Sequence, residues 1–96
     1  MKAVYDSEAN AIEITLADVR RVDRDVPAHP CGTVALADGR PVSVELLNVR
    51  AGVDDAVDAI VTRFAELDGG ALRAAADAAL AVPGRQVEIT VTSRAA

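Results

Sequence analysis

The spacing of apolar residues changes at Gly52, and that change decides what the chain can fold into. Before it, apolar side chains recur at every second position. Ile12, Ile14 and Leu16 alternate with Glu13 and Thr15, and Val42, Val44 and Leu46 alternate with Ser43 and Glu45. Period two puts one set of side chains on a dry face and the other in water, as in a sheet covered on one side. After Gly52 the spacing lengthens. Val53, Val57, Ile60, Val61, Phe64 and Leu67 fall at i, i+4, i+7, i+8, i+11 and i+14, the stripe of an amphipathic helix. Beyond Pro83 and Gly84 the alternation returns, with Val87, Ile89 and Val91 on one face.

Turn chemistry divides these runs into elements. Asp6, Ser7 and Asn10 in "DSEAN" separate two strand-like segments, which reads as a hairpin. Residues 20–26 hold Val22 and Val26 among charges and read as a short edge strand, because charge on an edge discourages unwanted pairing. "PAHPCG" reads as a loop, and Asp38-Gly39 is a hairpin turn signal. Asp54 and Asp55 suit a helix start, where negative charge and a capping oxygen are welcome. "DGG" at 68–70 ends the first helix, and Pro83-Gly84 ends the second. In that second helix Leu72, Ala76, Ala79 and Leu80 share a face of small side chains, which permits close packing, including against a second copy.

The expected strands are 2–6, 11–16, 20–26, 33–37, 42–47 and 85–92, and the expected helices 54–67 and 70–81. The order β-β-β-β-β-α-α-β is that of an α+β fold: a mostly antiparallel sheet of five or six strands with two helices on one face. The 96 residues contain no repeat and read as one domain, 1–96. The expected core is Ile12, Ile14, Val44, Leu46, Val57, Ile60, Val61, Phe64, Leu80, Val87 and Ile89.

Charge and composition exclude whole classes of function. A net charge of -5 argues against nucleic acid and anionic membrane, both of which need clustered Lys and Arg. Tyr5 and Phe64 are the only aromatic residues, so no base-stacking platform exists. Cys31 is the only cysteine, which excludes an intrachain disulfide and a zinc cage. "MKAVYDSEAN" lacks an apolar signal core, and no apolar run nears the ~20 residues of a membrane span. The expected compartment is the cytoplasm. An acidic surface suits a basic protein partner.

Four groups of residues carry side chains capable of chemistry. His29 and Cys31, at i and i+2, pair a base with a thiol but lack an orienting third group and further metal ligands. Asp54, Asp55 and Asp58 offer oxygens to a cation, but without the glycine-centred pattern of a calcium loop they read as helix capping and solvation. Asp6 and Glu8 read as turn residues. Arg20, Arg21 and Arg24 are the densest basic group, but Asp23 and Asp25 interleave and cancel their field. No nucleotide, zinc-protease or nucleophile-elbow motif is present. No residue is assigned as catalytic, cofactor-binding or metal-binding, and the chain is not expected to be an enzyme or to need a cofactor.

The first half resembles family 2283 of the domains of unknown function. That pattern runs roughly Y-D-x-E-x-D-x-L-Y-I-x-L, then D-x-x-G-x-I-V-G-I-E-I-L. Tyr5, Asp6, Glu8, Ile14 and Leu16 match the first block, and Asp38, Gly39, Val42, Val44, Glu45, Leu46 and Leu47 the second. Asn10 stands for the second Asp, Ile12 for Leu, Glu13 for Tyr and Ser43 for Gly. The resemblance covers about residues 1–50. In physical terms it implies Tyr5 packing on Ile14 across the hairpin and Asp6 bonding the turn backbone. Members of the family have no established activity. They look like bacterial accessory proteins, some encoded beside small toxin-like ribonucleases, which implies an antitoxin-like role as one form.

Two functional readings follow. The first is a non-catalytic protein-interaction protein, a homodimer, with a basic protein as a possible partner. The alternative is a small-molecule or metal binder, or a small enzyme, using a pocket between sheet and helices lined by His29, Cys31 or the Asp54 cluster.

Overall fold

A computed structural model describes residues 1–90. Strands β1 (Lys2–Asp6), β2 (Ala11–Thr15), β3 (Arg24–His29), β4 (Gly32–Ala37) and β5 (Arg40–Leu47) come first. A 3-10 turn (Val49–Ala51) leads into α1 (Asp54–Arg63), α2 (Gly69–Ala81) and β6 (Gln86–Glu88). The six strands form one sheet in the order β3-β4-β5-β2-β1-β6, every neighbouring pair antiparallel. Both helices lie on one face, α1 against β3 and β4, α2 against β1, β2 and β6. The α+β class and the element order are as the apolar spacing predicts.

The two turn signals fold as their chemistry dictates. Asp38 (φ 51°) and Gly39 (φ 75°) both adopt positive φ between paired Ala37 and Arg40, a two-residue turn whose twist matches the strands it joins. At the first hairpin Asp6 Oδ1 accepts from the backbone N–H of Glu8 (2.9 Å) and Ala9 (3.2 Å). The register sets Tyr5 directly opposite Ile12, with Ile14, opposite Ala3, its diagonal neighbour on the same buried face.

To carry the chain from central β2 to edge strand β3, residues 16–23 cross the ends of β5 and β4. The N–H groups of Leu16 and Ala17 donate to Val42 O, and that of Asp23 to Leu36 O. The strand expected over 20–26 is therefore shifted to 24–29, and Val19 and Val22 lie outside it. Four of the six residues of "PAHPCG" are strand rather than loop: Pro27, Ala28 and His29 end β3, and Gly32 opens β4. Pro27 is tolerated because an edge strand is the place in a sheet where a missing N–H costs no ladder bond.

The core fills the space between sheet and helices. Ile12, Ile14, Val34, Val44 and Leu46 from the strands meet Val57, Ile60 and Leu72 from the helices, all at 0 % exposure. Ala75, Ala76 and Ala79 are buried with them, so the small-residue face of α2 packs on its own sheet. Gly69 and Gly70 begin α2 rather than ending α1: Asp68 is the N-cap, and its Oδ1 accepts from Ala71 N at 3.2 Å. α1 starts after Val53, with no side-chain cap, so Asp54 and Asp55 contribute charge to its first turn but no capping bond.

Five expected core residues are only partly buried: Val61, Phe64, Leu80, Val87 and Ile89. α1 ends at Arg63, and Phe64 leaves helical geometry at φ -121° and ψ 79°, so its ring turns to the periphery. Phe64→Ala should therefore cost about 1–2 kcal/mol, below the ~3–5 of an enclosed ring. Urea unfolding will read the difference, and a loss above about 3 kcal/mol would mean that the ring is enclosed. β6 is shorter than the strand expected at 85–92, and Val91 lies outside the described residues.

Candidate interaction surface

The groups singled out in the sequence are mostly occupied with the fold. His29 and Gly32 pair across a tight turn at Pro30-Cys31. His29 Nδ1 accepts from Cys31 N at 3.0 Å, which fixes the orientation of the ring within the turn. Cys31 is half-buried against the core, and its carbonyl accepts from Leu47 N at 2.9 Å. The turn thus brings His29 and Cys31 together for a structural reason. Cys31→Ser should change stability by no more than about 1 kcal/mol and leave binding properties intact. Stoichiometric zinc in the wild type and not in the variant would contradict this.

The acidic start of α1 is satisfied by a cation of the chain itself. From α2, Arg73 Nε donates to Asp54 Oδ1 at 3.0 Å, and Arg73 Nη2 donates to Asp58. The bond to Asp54, reinforced by Asp58, raises the guanidinium above its ordinary pKa. Asp55 stays exposed beside the pair. Among the described residues, no three His, Cys, Asp or Glu side chains converge as metal ligands. Arg20 and Arg21 are exposed in the 16–23 crossing, and Arg24 opens β3.

Asn10, a turn residue of "DSEAN", also ties the first hairpin to the start of the helical half. It sits in the left-handed region at φ 52°, which asparagine tolerates better than most residues. Its Oδ1 accepts from Tyr5 Oη and from Arg50 N, both at 3.2 Å. Its carbonyl accepts from Val49 N, and Arg50 Nη2 donates to Ser7 O at 2.9 Å.

What remains uncommitted is the sheet face opposite the helices. Strand alternation sends Glu13 and Thr15 of β2 and Ser43 and Glu45 of β5 to this face, as the sequence pattern predicts. Thr33 and Ala35 of β4 and Val4 of β1 continue the same rows. Small side chains leave the surface concave. A trough of about 470 Å³ runs over β1, β2 and β5, and a second of about 290 Å³ continues towards β3, with Glu13 and Glu45 lining both.

Glu13 lies directly opposite Glu45 in the β2–β5 ladder, and both are exposed. Like charges at directly opposed positions repel and destabilise the pairing. Lys2, the basic residue of the larger trough, is drawn to Asp18 at 3.8 Å. Asp25 adds a further carboxylate towards β3. Val19, Val22 and Leu47, at 45 %, 49 % and 39 % exposure, are the large apolar side chains left in water among the described residues. Val19 and Val22 line the face beside Glu13 and Ser43, and Leu47 is paired with Ala11 at its other end. Leu47 had a sequence signal, since it breaks the alternation by following Leu46. Val22 has none within a strand over 20–26, and Val19 precedes that strand.

No family model, curated protein or solved structure matches the chain. No helix among the described residues is long and apolar enough to cross a membrane.

Proposed function

We propose that this chain is a non-catalytic protein that acts by binding another protein of basic character. One observation carries the reading: the sheet face opposite the helices is open, concave and acidic, while the face beneath the helices is filled. A ligand pocket between sheet and helices would need space there, and fully buried Ile12, Ile14, Val57, Ile60 and Leu72 occupy it. His29, Asp54 and Asp58 are held in bonds within the chain. The net charge of -5 favours a cationic partner.

The resemblance to family 2283 gives this reading its antitoxin-like form, an acidic cytoplasmic protein that neutralises a basic ribonuclease-like toxin. Co-expression with a basic product of an adjacent gene tests it. A stoichiometric complex on size exclusion, with the partner's nuclease activity suppressed, is the expected result. Separate elution of the two proteins would overturn the antitoxin form.

The same reading includes a homodimer. β6 forms an outer edge of the sheet, and its three residues contain no proline, so another strand can pair there. The alternative route through α2 lacks support, because its small residues are buried against its own sheet. Light scattering at micromolar concentration should give a species of twice 9.9 kDa, and a clean species of 9.9 kDa would refute the dimer.

A further inference from the structure

We infer that the open sheet face docks an amphipathic basic segment of the partner, with an Arg or Lys seated between Glu13 and Glu45 and apolar side chains on Val22 and Leu47. This rests on the protein-binding reading above and adds the surface and the chemistry of its occupant. Two independent features coincide on this face. The first is apolar: the exposed large hydrophobics of the described residues all border it, and none of them lies on the helical side. Single exposed apolar residues are ordinary, but here Val19 and Val22 at one end of the face and Leu47 at the other flank the acidic pair.

The second feature is charge. Glu13 and Glu45 face each other, and among the described residues no cation pairs with either, so the two carboxylates repel and an incoming cation removes that repulsion. Thr15, Ser43 and Thr33 beside them are short enough to let a long basic side chain reach the strand surface. Arginine suits the place best, because its planar fork can donate to two carboxylates at once.

Charge also discriminates among occupants. A second copy laid face to face across a two-fold axis would set each Glu13–Glu45 pair against its equivalent and multiply the repulsion. Nucleic acid and anionic lipid are repelled for the same reason. A bare metal ion would need ligands beyond two exposed carboxylates, and none converge among the described residues. A basic protein segment neutralises the pair and covers the apolar ends together.

The test uses the full chain, labelled with nitrogen-15, and an end-blocked helical peptide of about 14 residues, two heptads, built from Leu, Ala and Arg. Its counterpart carries Glu for every Arg. Saturable NMR shifts are expected at the amides of Val22, Glu13, Ser43 and Glu45, with no shifts from the Glu peptide. Glu13→Gln with Glu45→Gln should weaken binding about tenfold or more, because a charge-assisted contact is lost. That double variant relieves a repulsion, so its thermal transition should not fall, and lost binding cannot then be ascribed to unfolding. Asp55→Asn with Asp77→Asn removes the same charge from the helices and should leave affinity within about twofold. Shifts that map to the helices, equal weakening by both double variants, or no saturable binding up to millimolar peptide would overturn the inference. Should the adjacent-gene complex form and persist in the Glu13→Gln, Glu45→Gln variant, the protein-binding reading stands and this surface is wrong.

Discussion

Ile60→Ala should lower the stability of the protein by about 2–5 kcal/mol. Ile60 projects from the middle of α1 at 0 % exposure. Its Cδ1 reaches the backbone of β4, 3.0 Å from where a Cβ on Gly32 would stand. The wall on that side is a hydrogen-bonded strand with neighbours on both edges, so it cannot move in to fill the space left by the removed carbons. The cost therefore includes a cavity as well as lost transfer energy, which places it above a simple area estimate. A small protein has about 5–15 kcal/mol in total, so the variant stands near the edge of folding at physiological temperature. Urea unfolding followed by circular dichroism gives the number. Val61→Ala, one residue further on the same helix and partly exposed, serves as the control and should cost clearly less. Equal losses at the two positions would show that α1 is not seated on the phase described.

That phase was legible in the sequence because it is a local property. Spacing of apolar residues decides strand or helix without reference to anything distant, and both helices and five of the six strands lie in the segments that the spacing marks out. The order of strands is not local. That β5 pairs with β2, and that residues 16–23 must cross two strand ends to reach β3, depends on which apolar faces share one core. The misplaced strand at 20–26 shows the limit. Val22 and Val26 alternate with charges as an edge strand would, but Val22 belongs to the crossing, and Pro27, which argued for a loop, is accommodated by the edge position of β3. Phe64 shows another limit. Helical spacing continues through it and Leu67, but the helix stops at Arg63, and no residue type there announced the end.

The candidate site was legible by half. Alternation alone puts Glu13, Thr15, Ser43 and Glu45 on the wet face. That Glu13 and Glu45 stand opposite one another requires the β2–β5 register, which no short-range pattern encodes. Arg73 meets Asp54 and Asp58 across a helix–helix contact, so two of the three carboxylates of the acidic cluster share one cation of the chain. The residues that remain uncommitted are those that the fold does not use, and only the strand pairings single them out.

Gly32→Val should destabilise the protein by about 1–3 kcal/mol through overpacking, and the reason can be isolated by a second substitution. Gly32 opens β4, and a Cβ there would lie 3.0 Å from Ile60 Cδ1 and 3.3 Å from Ala56 Cβ. No positive φ is involved, so the glycine is needed for space and not for backbone freedom. Valine is otherwise well suited to a strand, and only the close approach of α1 opposes it. The helix cannot retreat locally, because Val57 and Ile60 are both packed on the sheet side. Ile60→Val removes Cδ1, the nearest of the opposing atoms, and alone should cost about 0.5–1.5 kcal/mol. In the Gly32→Val, Ile60→Val double variant the added carbons of one residue occupy the space vacated by the other. Its loss should fall short of the sum of the single losses by at least about 0.5 kcal/mol, as expected for residues in direct contact. Strict additivity would mean that Gly32→Val acts through the Pro30-Cys31 turn rather than through the helix. Rescue would locate the seating of α1 on a single missing side chain at the first residue of β4.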